Sequence, residues 1–294
     1  MFNHNAYLIN IKNAVFTKNA FLRASSIGMS MLSSCNDCVE NLLIEDNLFV
    51  EGEIGLGLWS FPDITANNIT VRKNVFMHIG RARPTNRHLS WAIGQGMHSI
   101  EDLTIEDNII AHQTRDSLAG NTSVIELNNQ HTNTTIRNNI IYNYKSSHGL
   151  FRFGKVNAGS SIHVEENTFH SISQNPRLFF LDLHGSTTLA NNHYFADAWS
   201  TIWFSLDWNT HIDFTEWAAS SGEENPSFEL PNYANPDITL EDYLSVENLG
   251  TSLTDYISLL TNQGKEGWDQ RLEIPVVNQF IRSGFDLVES SMER

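Results

Sequence analysis

The chain contains 294 residues, of which 40% are hydrophobic and 11% aromatic, so it can bury a domain-sized core and is not a disordered chain. Asp and Glu (34 residues) outnumber Lys and Arg (18), and the net charge of −16 disfavours nucleic acid and anionic membranes as partners. No stretch approaches the roughly 18 consecutive apolar residues of a transmembrane helix.

The start of the chain, MFNHNAYLIN, shows no basic segment followed by an apolar one, so no signal peptide is visible. The two cysteines, Cys35 and Cys38, are too few to form a disulfide framework. Their C-x-x-C spacing also suits a redox-active pair or half of a zinc site. We expect paired turn cysteines without a function of their own.

One six-residue phrase recurs seven times: an apolar residue, two polar residues, Asn, any residue, then an apolar or aromatic residue. It reads FTKNAF, IEDNLF, VRKNVF, IEDNII, IRNNII, VEENTF and LANNHY. Its asparagines are Asn19, Asn47, Asn74, Asn108, Asn139, Asn167 and Asn192. Repetition at intervals of 25–34 residues indicates a repeat architecture.

The phrase is followed by a second segment with apolar residues at alternate positions, as in IGLGLW (54–59), VIELNN (124–129), LFRFGK (150–155), LFFLDL (178–183) and IWFSLD (202–207). Each repeat therefore carries at least two short strands. A WD-type propeller would show its own signature, and a sandwich would not repeat one Asn at one place. The pattern predicts an all-β fold, a parallel β-helix in which the seven asparagines hydrogen-bond along one structural column.

The phrase I-x-x-N-x-[FI], repeated with variable loops over about residues 5–215, resembles the right-handed parallel β-helix proteins of the pectate-lyase-like superfamily. The resemblance implies a right-handed β-helix, an acidic polysaccharide as partner, and an extracellular or periplasmic location. It does not select one activity, because this superfamily includes lyases, hydrolases, epimerases and phage tailspikes.

Two loops are longer than the others, residues 77–90 and 111–123, and long loops on neighbouring coils wall a cleft. These loops and the connection after them carry the basic residues Arg81, Arg83, Arg87, His88, His112, Arg115, Lys145 and His148. Solvated side chains, or arginines paired with Asp and Glu, are the alternative. The cluster as a whole favours an anionic ligand, because arginine binds carboxylate or sulfate in a bidentate manner.

Alternation along three later strands places Glu126, Arg152 and Asp182 on the outside. With coils in register they form one exterior column, in which Glu126 and Asp182 lie about 10 Å apart. That separation is near the upper limit for an inverting pair of carboxylates. A stabilising charge ladder is the alternative. Trp59, if it faces outward, would stack on a sugar ring, and a packing role is its alternative.

Our first expectation for activity is β-elimination of an acidic polysaccharide, in which Arg or Ca²⁺ neutralises the substrate carboxylate and a basic side chain removes the C5 proton. The predicted catalytic residues are Arg83, Arg87, His112, Arg115, Lys145, His148 and Arg152. The predicted substrate-binding residues are Arg81, His88, Trp59, Glu126 and Asp182. An inverting hydrolase using Glu126 and Asp182, or a non-catalytic tailspike-like glycan-binding module, are the alternatives. No cluster of Asp and Glu assigns Ca²⁺.

The pattern changes after residue 210. Residues 220–237 hold three of the seven prolines and are typical of a surface linker. Apolar residues spaced i, i+3, i+4 then predict short helices near Leu240, near Leu253 and over 274–285, with Gly250 and Gly264 as stops. This tail also resembles the ending of many bacterial β-helix repeat proteins of secreted, polysaccharide-degrading type.

We therefore divide the chain into a parallel β-helix over residues 1–215 and a linker with a helical C-terminal cap over residues 216–294. The cap is expected to cover the last coil, whose strand edges would otherwise be exposed. The N-terminal end shows no comparable cap. Three interpretations stay open there: earlier coils have been removed, they belong to another chain, or self-association covers the end.

Overall fold

The computed structural model describes residues 3–81, 89–114, 123–157, 159–183, 186–199, 201–207 and 209–286. Over these ranges the chain forms a parallel β-solenoid of about six turns, in which the strands of successive coils pair in parallel. The predicted parallel β-helix is confirmed. The coils contribute short strands to three sheets, numbered 1 to 3 in the order in which the chain enters them.

The strands of sheet 1 are β1 (Ala6–Ile9), β4 (Ile27–Ser33), β7 (Ile54–Ser60), β10 (Trp91–Gly96), β13 (Ile125–Thr132), β16 (Phe151–Val156), β19 (Phe179–Leu183) and β22 (Phe204–Ser205). Those of sheet 2 are β2 (Lys12–Thr17), β5 (Glu40–Glu45), β8 (Thr65–Arg72), β11 (Ser99–Glu106), β14 (Thr134–Arg137), β17 (Ser161–Glu165) and β20 (Ser186–Ala190). Those of sheet 3 are β3 (Ala20–Leu22), β6 (Leu48–Val50), β9 (Val75–Met77), β12 (Ile109–Gln113), β15 (Ile140–Tyr144), β18 (Thr168–Ser171) and β21 (His193–Ala196).

Two strands depart from this scheme. The long strand β13 continues around a corner, so it pairs with β10 in sheet 1 and with β11 in sheet 2. The last strand, β23 (His211–Ile212), pairs antiparallel with β22. The segment IWFSLD is shorter as a strand than its alternation predicts, because only Phe204 and Ser205 pair with β19.

Inward-facing apolar side chains stack from coil to coil and fill the interior. Ile44 and Val71 share one register position, and both are fully buried. The rings of Phe21, Phe49 and Phe76 form a second stack with centroid separations of 4.7 and 4.5 Å. Because each coil covers the apolar face of the one before it, burial increases with every turn that is added.

The seven predicted asparagines form one hydrogen-bonded column, which confirms the ladder. All but the first, Asn19, are buried. The backbone N–H and the side-chain amide of each asparagine from Asn19 to Asn167 donate to the Oδ1 of the next asparagine along the column, at 2.9–3.1 Å. The second amide hydrogen of Asn74 reaches the Ile44 carbonyl of the preceding coil at 2.9 Å. Each buried amide group therefore has partners in an apolar interior.

A sharp bend precedes each ladder asparagine and separates sheet 2 from sheet 3. The residue just before the asparagine has a left-handed backbone with φ of 52–60°, a conformation that Asn and Asp adopt most readily among residues with a side chain. These residues are Lys18, Asp46, Lys73, Asp107, Asn138, Glu166 and Asn191. The bend splits each phrase into two strands, so a coil has three strands rather than the minimum of two that alternation predicts.

The turn between β4 and β5 contains a disulfide between Cys35 and Cys38. The Cys38 N–H donates to the Cys35 carbonyl, and Ser33 Oγ donates to the same carbonyl oxygen. The pair therefore closes a local turn, as expected of turn cysteines.

The helices of the C-terminal region are α1 (Phe214–Ser220), α2 (Leu240–Val246), α3 (Leu253–Asn262) and α4 (Ile274–Ser283), with a 3₁₀ turn at Gln270–Leu272. The last three confirm the helices predicted from apolar spacing, whereas α1 was not predicted. None of the helices in the described ranges is long and apolar enough to cross a membrane.

The helical region has two parts with different positions. Helix α1 lies at the last coil, where Trp217 stacks on Phe204 with ring centroids 4.3 Å apart. Glu223 accepts the last ladder bonds from Asn192 there. Helices α2–α4 instead pack along the flank of the solenoid, on the outer face of sheet 3 against side chains such as Val75 and Ile109. The cap is thus formed by α1 and Glu223, while most of the tail covers one side.

Candidate functional site

The outer face of sheet 1 carries an aromatic surface built on glycines. Trp59 of β7 and Trp91 of β10 lie side by side, with ring centroids 6.3 Å apart, and both are partly exposed. The strand residues beneath them are glycines, which have no side chain. A Cβ atom added to Gly57 or Gly96 would come within 2.5–2.8 Å of the Trp59 ring. The glycines therefore let the indole lie flat against the strands. We call Trp59, Trp91 and the glycines beneath them the aromatic platform.

A buried ion pair continues the same face beyond the platform. Gly94 of β10 is in register with Glu126 of β13, which is in register with Arg152 of β16. Arg152 Nη1 donates to Glu126 Oε2 at 3.2 Å, and the other carboxylate oxygen accepts from Asn128 Nδ2 at 3.2 Å. Both side chains of the ion pair are about nine-tenths buried, at 12% and 9% exposure. The pair is therefore rigid and only weakly screened by solvent.

The predicted exterior column is wrong at its third position. Phe180, not Asp182, is in register with Arg152. The rings of Phe151 and Phe179 stack at 4.9 Å and set this register, which places the Arg152 guanidinium 5.5 Å from the centroid of the Phe180 ring. A cation above an aromatic face is favourable. Asp182 lies two residues farther along β19, and its side chain is outside the described residues.

The long basic loops fall largely outside the described residues, which excludes Arg83, Arg87, His88 and Arg115 from structural description. Arg81 is 53% exposed and lies 3.9 Å from both Glu51 and Glu241, so it faces the helical flank. Lys145 and His148 follow β15 on the path to β16 and are partly exposed. The structure thus brings Trp59, Glu126 and Arg152 to one face and separates Arg81 from them.

His112 lies under the helical flank rather than in a cleft. Its Nε2 is 3.2 Å from the Ile238 carbonyl oxygen, and only 4% of the residue is exposed. Burial lowers the pKa of His112 to about 4, with His78 acting in the same direction. A neutral, covered imidazole in this position packs sheet 3 against the tail.

We expect acid to destabilise the protein through this histidine. Because the pKa of His112 is about 4 in the folded chain and about 6.5 when unfolded, the unfolded state binds more protons between these values. The free energy of unfolding should therefore fall by about 1–2 kcal/mol between pH 7 and pH 5 from this group alone. In urea unfolding, His112→Gln should lose less free energy of unfolding between pH 7 and pH 5 than the parent. His163→Gln, at an exposed position, should lose as much as the parent. Equal losses in all three would contradict this assignment.

A separate cleft of about 570 Å³ lies between the bends of later coils and the linker. Asp107, Glu166, His193 and Tyr233 are among the residues that line it. Burial raises the pKa of Asp107, and the nearby Glu106 raises it further. The two carboxyl groups make this cleft a poor match for an anionic ligand. None of its residues belongs to the predicted site.

No metal site emerges from the described ranges, in which no three His, Cys, Asp or Glu side chains are grouped so that they could hold an ion. The sequence assigns no cofactor and names Ca²⁺ only as an alternative to arginine for neutralising a substrate carboxylate.

Two features of the sheet 1 face were not identified from the sequence. The glycines of the aromatic platform were overlooked. Gly57, Gly94 and Gly96 occupy alternate strand positions, a pattern that often marks a place where another group approaches the backbone closely. The role of Asn128 was also overlooked. Its side chain bonds to the Gln95 carbonyl at 3.0 Å as well as to Glu126, and so fixes the carboxylate beside Arg152.

Comparison of the chain with protein-family models, with curated proteins and with solved structures found no match.

Proposed function

We propose that this chain binds an acidic polysaccharide along the outer face of sheet 1 and cleaves it by β-elimination, as a secreted or periplasmic protein of the pectate-lyase-like kind. The observation that carries the proposal is the aromatic platform of Trp59 and Trp91, which adjoins the ion pair of Glu126 and Arg152. The Cys35–Cys38 disulfide supports an oxidising compartment.

The platform supports saccharide binding because the apolar face of a pyranose ring packs well on an indole. Trp59 and Trp91 present two such surfaces that are held on rigid strands, so little conformational entropy is lost on binding. Successive coils are spaced by about 4.8 Å along the axis, so an extended chain that follows the axis meets a new strand at each step.

Arg152 supports recognition of an acidic sugar and the elimination step. A cation close to the uronate carboxylate would withdraw charge from it and acidify the C5 hydrogen. A base then takes the C5 proton, the C4–O bond breaks with its electrons on oxygen, and a C4=C5 double bond forms. The leaving sugar oxygen gains a proton. Lys145 and His148 follow the strand before Arg152 in the chain and are the described candidates for the base.

The hydrolytic alternative is less well supported by the geometry of Glu126. Both oxygens of this carboxylate already accept hydrogen bonds, from Asn128 and Arg152. A general base for water would have to give up one of these bonds. Glu126 is better suited to holding the Arg152 guanidinium in place.

Binding can be tested with tryptophan variants. Trp59→Ala and Trp91→Ala should each weaken binding to pectate, alginate or a glycosaminoglycan by about tenfold, which corresponds to about 1.4 kcal/mol. The matched control is Trp268→Ala, which removes a 58% exposed tryptophan of the tail. Calorimetric titration of the three variants should separate them. Equal affinities in all three would place the ligand elsewhere.

Cleavage can be tested by following the ultraviolet absorbance of the unsaturated product. Arg152→Gln should lower the rate by about 100-fold or more, whereas Glu126→Gln should retain the unsaturated product at a reduced rate. Arg83→Ala and Arg87→Ala test the loop residues in the same assay. New reducing ends without absorbance, abolished in Glu126→Gln, would indicate the hydrolase. Binding with neither signal would indicate a glycan-binding module.

A further inference from the structure

The bend residues that precede the ladder asparagines form a column of their own along the solenoid, which we call the bend column. The N–H of each member donates to the carbonyl just before the next bend, so neighbouring members lie about 4.8 Å apart. In chain order the bend column reads Lys18, Asp46, Lys73, Asp107, Asn138, Glu166 and Asn191. Its first four members alternate in charge, so Asp46 lies between two lysines and Lys73 lies between two aspartates.

The alternation of charge stops at the cleft of about 570 Å³. Asn138 and Asn191 lie on either side of Glu166, where continued alternation would place cations. The Glu166 carboxylate and the Asn138 side-chain amide make no hydrogen bond to any described residue. No lysine or arginine is among the described residues that line the cleft. Asp107 and Glu166 thus bring carboxyl groups to every second coil without a cation between them in the column.

The tail of the protein shows which donors the earlier bends accept. Asn278 Nδ2 of α4 donates to Asp46 Oδ1 at 2.9 Å. Arg282 Nη1 of the same helix donates to the Asp107 carbonyl oxygen at 2.9 Å. Helix α4 ends at Ser283, and none of its residues is among the described ones that line the cleft. Nitrogen donors therefore contact the bend column as far as Asp107, and a ligand with donors of the same kind suits the bends beyond it.

The rest of the cleft suits a hydrocarbon chain rather than a bare ion. Ile140 and Thr168, which are in register on sheet 3 and buried, form its floor. Pro231 and Tyr233 of the linker also line it, and the Tyr233 hydroxyl lies 3.1 Å from Thr168 Oγ1. His193 does not repel a cation, because burial lowers its pKa and keeps the imidazole neutral at pH 7. Methylene groups can pack on these surfaces while charged groups reach the carboxylates.

We propose that the cleft binds a linear polyamine along the bend column, with one ammonium group between Asp107 and Glu166 and a second beside Asn191. These two positions are two coils apart, about 10 Å. The ligand thus completes the alternation of charge that the chain itself supplies over the earlier coils. The polysaccharide proposed above binds on sheet 1, so this inference does not depend on that proposal.

The test is calorimetric titration of the full chain with spermidine in about 0.15 M salt, which screens non-specific attraction to an acidic protein. Glu166→Gln should weaken binding about tenfold, because a charge-assisted contact is lost. Putrescine, whose two ammonium groups lie too close together to occupy both positions, should bind the parent about tenfold more weakly than spermidine.

The matched control is Glu101→Gln, which removes an exposed carboxylate from sheet 2 and should bind spermidine like the parent. Equal weakening in Glu101→Gln and Glu166→Gln would mean that spermidine responds to net charge alone, and would overturn the proposal. No heat of binding in the parent would overturn it too. Binding of a glucosamine oligomer without binding of spermidine would replace the polyamine by an amino sugar.

Asn138→Lys is a second test, in which the chain supplies the missing cation. Lys18 and Lys73 occupy equivalent bends with φ of 60° and 55°, so lysine fits this backbone. The variant should melt at or above the temperature of the parent and bind spermidine about tenfold or more weakly. Asn133→Lys adds the same charge at another exposed left-handed bend and should leave the affinity unchanged. Parent-like affinity in a folded Asn138→Lys would contradict binding in this cleft.

Discussion

The Asn108→Asp variant is expected to lose about 4 kcal/mol of unfolding free energy at pH 7, although its side chain keeps the same shape. Asn108 is fully buried, and its amide donates to the Val71 carbonyl and to Asn139 Oδ1, both at 2.9 Å. A carboxylate there would face two acceptors without a hydrogen to donate, in an apolar interior. Because native domains are stable by only about 5–15 kcal/mol, the loss is a large fraction of the total.

The matched control for Asn108→Asp is Asn138→Asp, an exposed bend residue of the next coil that makes the same chemical change. It should cost less than about 1 kcal/mol. The defect of Asn108→Asp relative to the parent should shrink as the pH falls, since protonation restores a donor and removes the buried charge. Chemical unfolding at pH 7 and pH 5 measures both effects. Equal losses for the two variants would contradict the ladder as a buried, stabilising column.

The Glu223→Ala variant is expected to lose about 3–5 kcal/mol, because this carboxylate closes the last coil. It accepts hydrogen bonds from Asn192 Nδ2 at 2.7 Å, from Trp217 Nε1 at 2.7 Å and from the Tyr194 hydroxyl at 3.1 Å. Alanine would leave these buried donors without an acceptor. Burial raises the pKa of Glu223, while the hydrogen bonds from Asn192, Trp217 and Tyr194 oppose that rise.

The control for Glu223→Ala is Glu224→Ala, the exposed neighbour with the same side chain. Its loss should stay below about 1 kcal/mol. Thermal unfolding followed by near-ultraviolet circular dichroism, to which Trp217 and Tyr194 contribute among the aromatic side chains, measures the loss. If Glu223→Ala melted at the temperature of Glu224→Ala, the end of the ladder would not be closed in the way described.

The ladder and the solenoid could be predicted from the sequence because both are periodic. An asparagine that recurs every 25–34 residues at one place in one phrase specifies a column, whichever coil is considered. The C-terminal helices α2–α4 were likewise predictable, since their apolar spacing is local. The orientation of Trp59 was left open by the sequence, and the structure places this residue, partly exposed, on the outer face of sheet 1.

Other features depend on contacts between distant residues and could not be read from local patterns. The flank position of the tail arises where Val75 and Ile109 meet helices more than a hundred residues later. Phe180 occupies the place in the exterior column that was predicted for Asp182, because the stacking of Phe151 on Phe179 sets the register. The burial of His112 has the same origin, because the tail that covers it follows the coils in sequence.

The most direct test of the proposed function is a crystal structure of the protein with an acidic oligosaccharide. The account predicts a sugar ring stacked on Trp59 or Trp91, with a carboxylate directed toward Arg152. An oligosaccharide bound instead in the cleft beside Tyr233, with the sheet 1 face empty, would contradict it.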